Sequence, residues 1–162
     1  MPDDAAAIAA IYNEGIADRI ATFETEPRTV EQIAAQLRDK GDRFPTIVAE
    51  LHGRVVAWAG AGPYRARPAY AGVAEHSVYV ARSARGNGAG RGVLDAFCRA
   101  YAERGFWKIL SRIFTENAPS PALHQRCGFP VVGVYKRHGK LEGEWRDCVI
   151  VERLLDGNHR SD

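Results

Sequence analysis

At 162 residues, 46% of them hydrophobic and 26% charged, the chain can bury the core of one domain, read as spanning 1–162. A net charge of +2, with Lys and Arg dispersed, excludes nucleic acid as the main partner. No apolar run is long enough to cross a bilayer, and Met1-Pro2-Asp3-Asp4 does not open a signal peptide. Cys98, Cys127 and Cys148 lack any CxxC spacing, which points to reduced thiols and a cytoplasmic protein.

A first helix is predicted after Asp3 or Asp4, either of which can cap it, with Ile8, Ile11 and Tyr12 at helical spacing. Gly15 to Pro27 reads as irregular, with Phe23 in it. Thr29-Val30-Glu31-Gln32 reads as a capping box for a second helix, with a stripe of Val30, Ile33, Ala34 and Leu37, ended by Gly41. Strands over Thr46–Leu51 and Arg54–Ala61 are joined at His52-Gly53, and Gly62-Pro63 breaks the second. A loop from Tyr64 to Tyr70 leads to a strand over Val73–Val80. A helix from about Gly88 to a C′ glycine at Gly105 precedes a buried strand over Lys108–Phe114. Strand, helix, strand here implies a parallel pair with a right-handed crossover. Ser120-Pro121 starts a short helix stopped by Gly128. Val131–Tyr135 and Trp145–Leu154 form a last hairpin around Lys140-Leu141-Glu142-Gly143, and 156–162 reads as a flexible tail. The fold class is α/β, a mixed sheet with one parallel step.

The informative stretch is Arg85-Gly86-Asn87-Gly88-Ala89-Gly90-Arg91-Gly92, between the strand at Ser77–Val80 and a helix. Its glycines allow close backbone approach, and the first-turn N–H groups have no intrahelical partners. Those donors and the helix dipole suit a phosphate or pyrophosphate, and Arg85 and Arg91 add charge. A dinucleotide fingerprint wants a parallel unit opening a domain, whereas the strands before this loop read as antiparallel. The Gly-Lys-Ser/Thr ending of a Walker loop is missing. His52, His76, His138 and His159 show no metal-ligand spacing, so no metal is implied.

Arg85-x-x-Gly88-x-Gly90 after a strand, then Asn117, then His124-Gln125-Arg126-Cys127-Gly128-Phe129, resembles the GNAT acetyltransferases. The likeness narrows to the phosphinothricin and arsinothricin N-acetyltransferase branch. It is carried by Ile11-Tyr12-Asn13, Phe23-Glu24-Thr25-Glu26-Pro27-Arg28-Thr29, Ala61-Gly62-Pro63-Tyr64-Arg65-Ala66-Arg67, Ala74-Glu75 and Gly143-Glu144-Trp145-Arg146-Asp147. The resemblance implies a GNAT fold and an acetyl-CoA-dependent N-acetyltransferase acting on a small acidic amino-acid analogue, conferring resistance by detoxification. It implies that Val78, Tyr79 and Val80 present backbone to the pantetheine arm, and that Arg85, Gly86, Asn87, Gly88, Ala89, Gly90 and Arg91 wrap the pyrophosphate. Asn117 would contact the cofactor beyond the next strand. Glu75 falls where the branch keeps a base for the substrate amine, and His124 where it has a catalytic histidine. Arg65, Arg67 and Tyr70, with Phe23, would recognise the acidic substrate. A homodimer, with the Trp145 hairpin as interface, is also implied.

The chain departs from that pattern in three places. The strand that opens the family is missing or truncated, and Arg91 and His76 replace smaller residues, which would tighten the cofactor mouth. Residue types alone leave duller readings open: Glu75 as a structural ion pair, His124 capping carbonyls, Arg65 and Arg67 as solvated loop residues. An ammonium substrate nonetheless needs a base, which suits Glu75, and His124 could relay a proton. Arginine's planar, permanently charged fork suits oxyanions. An acyl-Cys127 intermediate is rejected in favour of a packed thiol. Acetylation of methionine sulfone, methionine sulfoximine or another amino acid, and a non-catalytic acyl-CoA-binding module, are the alternatives.

Overall fold

The computed structural model describes residues 2–19, 21–117 and 119–155; the expected tail over 156–162, like Met1, lies outside them. Helices α1 (Ala5–Asp18), α2 (Val30–Lys40), α3 (Ala89–Glu103) and α4 (Pro119–Arg126) flank one six-stranded sheet. Its strands are β1 (Ile47–Leu51), β2 (Arg54–Pro63), β3 (Val73–Val80), β4 (Lys108–Phe114), β5 (Val131–Leu141) and β6 (Glu144–Leu154). They lie in the order β1-β2-β3-β4-β6-β5, and every neighbouring pair is antiparallel except β3 with β4. The mixed sheet with one parallel step is thus present. A 3-10 turn, Pro2–Asp4, runs into α1 with Asp4 at the N-cap position, and among the described residues no strand precedes it.

Several joints follow from local chemistry. The Thr29 side chain accepts from the Gln32 N–H while the Gln32 side chain accepts from the Thr29 N–H, closing the capping box of α2. His52 and Gly53 both adopt positive φ, the two-residue turn that matches strand twist.

Other elements differ from the sequence reading. Helix α1 continues through Gly15 because the Tyr79 ring packs there: a Cβ on Gly15 would meet Tyr79 Cε1 at 2.7 Å. Strand β2 does not stop at Gly62-Pro63. The Tyr64 N–H bonds to the Val73 carbonyl, so the proline nitrogen one residue earlier faces away from β3, on a side that β1 covers only as far as Ala59. The last hairpin turns on Glu142-Gly143, both at positive φ, which lengthens β5 to Leu141. Helix α4 starts at Pro119, one residue before Ser120.

The sheet has a core on each face. Phe97 and Tyr101 of α3 pack with Phe106, Ile109, Phe129 and Val151 on one. Ile8 and Ile11 of α1 and Ile33 of α2 cover Trp58 and Tyr79 on the other. Each such side chain removed from water contributes about 1.5–3 kcal/mol.

Candidate active site

Strands β3 and β4 pair only at Val73↔Lys108, Ala74↔Ile109 and Glu75↔Leu110; beyond Glu75 they part. Ser111 Oγ spans the fork by donating to the His76 carbonyl at 2.9 Å. Main-chain groups alternate sides along a strand, so Val78 and Val80 turn their N–H and C=O into the same gap. Arg85 Nε meets the Val80 carbonyl at 3.4 Å, and no strand faces Val78. The edge of β3 therefore offers backbone donors and acceptors to an extended ligand. The Tyr79 side chain lies on the opposite face, stacked on Trp58 at 4.9 Å and edge-on to Tyr12 at 5.0 Å, where burial raises its hydroxyl pKa.

The glycine loop leads from this edge into α3. Gly86 and Gly88 stand at φ +82° and +79°, left-handed conformations that suit glycine. The first helical bond runs from the Gly92 N–H to the Gly88 carbonyl, so the N–H groups of Ala89, Gly90 and Arg91 have no intrahelical acceptor. Gly90 packs inward: a Cβ there would meet Leu123 at 3.0 Å and Val80 at 3.3 Å. Arg85 is tethered rather than free, donating to Asp18 at 3.0 Å beside Arg82 at 2.6 Å. Hydrogen bonds from Arg82 and then Arg85 hold the Asp18 carboxyl below its ordinary range. Asn87 is exposed in the loop, and Asn117 forms the turn from β4 toward α4, accepting from the Ser120 N–H at 3.1 Å. The converging N–H groups fit a pyrophosphate, and the β3 edge fits the arm beyond it.

Neither bulky replacement narrows this mouth. Arg91 is exposed, 3.9 Å from Asp95 on the outer face of α3. His76 is 2% exposed and turned into the interior.

On the α1–α2 side of the fork opens a cleft of ≈ 700 Å³. Glu75 lies on its wall with 22% of its side chain exposed, bound by Arg112 Nε at 2.5 Å; Arg112 also donates to His138 Nε2 at 3.1 Å. Phe23 lines the cleft, edge-on to Phe114 at 4.6 Å and packed over Gly139, where a Cβ would meet the ring at 2.7 Å. Arg28 is held by Glu24 in a two-bond fork of 2.7 and 2.9 Å. Lys40, also on the wall, has no hydrogen-bond or ion-pair partner among the described residues, and burial pushes its ammonium pKa down. The buried Trp58 Nε1–H likewise lacks an acceptor.

Arg65, Arg67 and Tyr70 are not brought into this cleft. All three are exposed; Arg65 lies over the Tyr64 ring at 4.2 Å and donates to the Tyr64 carbonyl, while Tyr70 packs edge-on to Tyr64. Residue type cannot show which way a loop turns. Lys40 and Arg112, two of the cations on the wall, were given no substrate role from sequence; the available signal was Gly60 and Gly62 on β2, small residues on the strand face that floors the cleft.

His124 is 2% exposed and faces the interior, not the cleft. Its Nδ1 lies 2.8 Å from the Ser120 carbonyl and its Nε2 3.0 Å from His76 Nε2; His76 Nδ1 lies 3.1 Å from the Leu110 carbonyl. Burial lowers both imidazole pKa values, and the His124 charge lowers that of His76 further. Cys127 is buried with its thiol pKa raised by desolvation, as a packed cysteine should be.

A strand fork and a glycine-rich helix start thus share β3 with a carboxylate at the fork. The sequence profile of the acetyltransferase (GNAT) family matches residues 8–129. The chain belongs to the GNAT acetyltransferases. It is 37% identical over 159 residues to the phosphinothricin N-acetyltransferase of Alcaligenes faecalis, covering 95% of this chain and 79% of that one. It is 30% identical over 155 residues to the L-methionine sulfoximine/L-methionine sulfone acetyltransferase of Pseudomonas aeruginosa, covering 94% and 90%. An acetyltransferase of Salmonella typhimurium, solved with its cofactor acetyl-CoA, superposes with a TM-score of 0.92 at 28% identity, covering 100% of this chain and 94% of that one. This GNAT enzyme is an acetyl-CoA-dependent N-acetyltransferase. Acetyl-CoA supplies the activated acetyl group.

Proposed function

We propose that this enzyme N-acetylates the α-amine of a small acidic amino-acid analogue of the phosphinothricin or arsinothricin type, detoxifying it in the cytoplasm. The observation that carries this reading is the pairing, in one cleft, of Glu75 at the strand fork with the unpartnered Lys40. Glu75 takes the proton from the substrate ammonium, which is largely charged at neutral pH. His124, next to the fork, serves as the proton-handling group of the interior.

Lys40 receives the acid at the far end of the substrate. A Cβ on Gly60 would stand 3.3 Å from Thr46 Oγ1 and 3.6 Å from Lys40 Nζ, so the glycine leaves space where hydroxyl and ammonium converge. Gly60 faces Ser77 and Gly62 faces Glu75 across β2 and β3. Two residues along and one strand across put the Gly60 and Glu75 Cα atoms about 8 Å apart. An extended amino acid with a two-carbon side chain spans such a distance, amine at Glu75 and acid at Lys40. Arg65, Arg67 and Tyr70 then act, if on the same acid, from a rearranged loop. Their place outside the cleft favours a second reading, in which the side chain is a neutral sulfoximine or sulfone. Val132, Val134, Tyr135 and Trp145, exposed on the last hairpin, support a homodimer through that face.

Lys40→Met separates the readings. Loss of one charge-assisted hydrogen bond, about 1.5–3 kcal/mol, raises KM for an acidic substrate on the order of 10- to 100-fold. KM for methionine sulfoximine and for acetyl-CoA stays put. Equal effects on acidic and neutral substrates would take the side-chain acid away from Lys40.

A further inference from the structure

We infer that His76 and His124 act as one proton-holding unit at the root of the strand fork, with His76 a positioning residue that fixes which nitrogen of His124 carries hydrogen. The inference rests on counting protons. Each Nδ1 points at a backbone carbonyl, at 3.1 Å for His76 and 2.8 Å for His124, and a carbonyl only accepts. Both Nδ1 atoms must therefore carry hydrogen for these contacts to be bonds. The two Nε2 atoms then face each other at 3.0 Å, the distance of an N–H···N bond, which needs one hydrogen between them. Three bonds require three protons, and two neutral imidazoles hold two.

The fully bonded pair is thus a single cation, one proton shared between two rings. The neutral pair must leave one contact unfilled. Its alternative partner is the Ser120 hydroxyl, 3.4 Å from His124 Nδ1, which can turn its hydrogen onto that nitrogen when it is bare. Uptake of one proton replaces the poor contact by a good one without moving either ring, while burial opposes the charge. These opposing effects hold the pair's proton affinity between the extremes of a solvated and a stranded imidazole.

The rings are walled by aromatic groups, and the charges of the adjoining elements lie beyond them: Asp95 on α3 and Arg153 on β6 act on the Cys98 and Cys127 thiols, with Arg153 also donating to the Cys127 carbonyl at 2.8 Å. Phe97 of α3 and Phe129, after α4, pack on the rings at 5.1 to 5.5 Å between centroids. Cys98 on α3 and Cys127 after α4, the thiols of the adjoining elements, are held protonated by burial. On β3 and β4 the neighbouring charges, Glu75 and Arg112, neutralise each other. A charge on His124 opposes one on His76, so the pair takes up one proton and not two.

The use of this unit in turnover rests on the N-acetyltransferase reading; the shared proton does not. When an ammonium substrate is acetylated, one of its three protons stays on the amide nitrogen, one ends on the thiol, and one must leave. The pair, one residue along β3 from Glu75, can hold a proton until it is released.

The test is a pH titration of the protein labelled with 15N in its histidine rings, read by long-range proton–nitrogen correlation from about pH 8 down to the acid limit of the fold, because burial lowers both imidazole pKa values; no transition of either ring over that range also overturns the unit. The result expected is one joint transition of both rings, amounting to one proton, with both Nδ1 atoms hydrogen-bearing in the acid form. In His76→Gln, His124 titrates alone at a shifted midpoint and its nitrogen assignment changes. In that variant kcat falls by up to about 100-fold, the low end of what a direct acid or base contributes, and the pH–kcat profile moves with the shifted midpoint. Separate, independent transitions of the two rings overturn the unit, as does an unaltered His124 curve in His76→Gln. The wild-type titration needs no variant, so a fold defect in His76→Gln leaves the test intact.

Discussion

The cradle assigned to the pyrophosphate makes opposite demands on two glycines four residues apart. Gly88, the N-cap of α3, stands at φ +79° and ψ 1°, and a Cβ there would touch nothing within 4 Å. Gly88→Ala therefore introduces backbone strain with no clash, about 1–2 kcal/mol for an L-residue held in the left-handed region. Gly92, exposed inside α3, also has open space and ordinary helical φ. There the same change gains about 0.8–1 kcal/mol of helix propensity. For a chain of this size each kcal/mol moves Tm by about 2–4 °C, so Gly88→Ala should melt about 2–8 °C lower and Gly92→Ala a few degrees higher. If the loop escapes the strain by leaving the left-handed conformation, the N–H groups no longer converge and acetyl-CoA affinity drops, by a factor of roughly 5–30 for that energy. Calorimetric melting and isothermal titration with acetyl-CoA read both quantities. Gly88→Asn, which tolerates positive φ, should recover most of each loss. Unchanged melting together with unchanged affinity in Gly88→Ala would refute the role given to this conformation.

Glu75→Gln should lower kcat by about 10²- to 10⁴-fold, the range of a lost general base, with acetyl-CoA binding intact because the carboxylate faces the cleft and not the loop. An equal loss of acetyl-CoA affinity would remove Glu75 from acid–base work. Asp18 ties Arg82 and Arg85 to α1, and its folded pKa lies below its unfolded one. Its contribution to stability is thus present above the unfolded pKa and lost as pH falls from about 5 toward 2. Asp18→Asn should flatten that part of the Tm–pH curve relative to wild type; parallel curves would mean the pair is too solvent-screened to matter.

Features written in local sequence were legible. The capping box at Thr29 and Gln32 and the positive-φ glycines of the loop each depend on neighbours within a few residues, and the strand–helix–strand step follows from the order of three such local patterns. What escaped depends on contacts between distant residues. Arg112 meets Glu75 across 37 positions, and His76 meets His124 across 48. No spacing rule reports such pairs, so His76 read as an obstruction at the mouth when it is the buried partner of His124. The placement of the Arg65 and Arg67 loop was hidden for a related reason: guanidinium chemistry suits an oxyanion wherever it points, and here Arg65 points at Tyr64. Pro63 read as a strand breaker because its neighbour on the open side of β2 could not be known; with β1 ending opposite Ala59, the missing N–H breaks no ladder bond.

Release of CoA thiol from acetyl-CoA reports acetyl transfer to a small acidic amino-acid analogue. The panel is phosphinothricin, arsinothricin, methionine sulfoximine, glutamate and a free-amine peptide. Turnover is expected with the phosphinate and arsenical analogues, at a kcat/KM well above that for the peptide. Turnover confined to the peptide, or release no faster than in the absence of any amine, would contradict it.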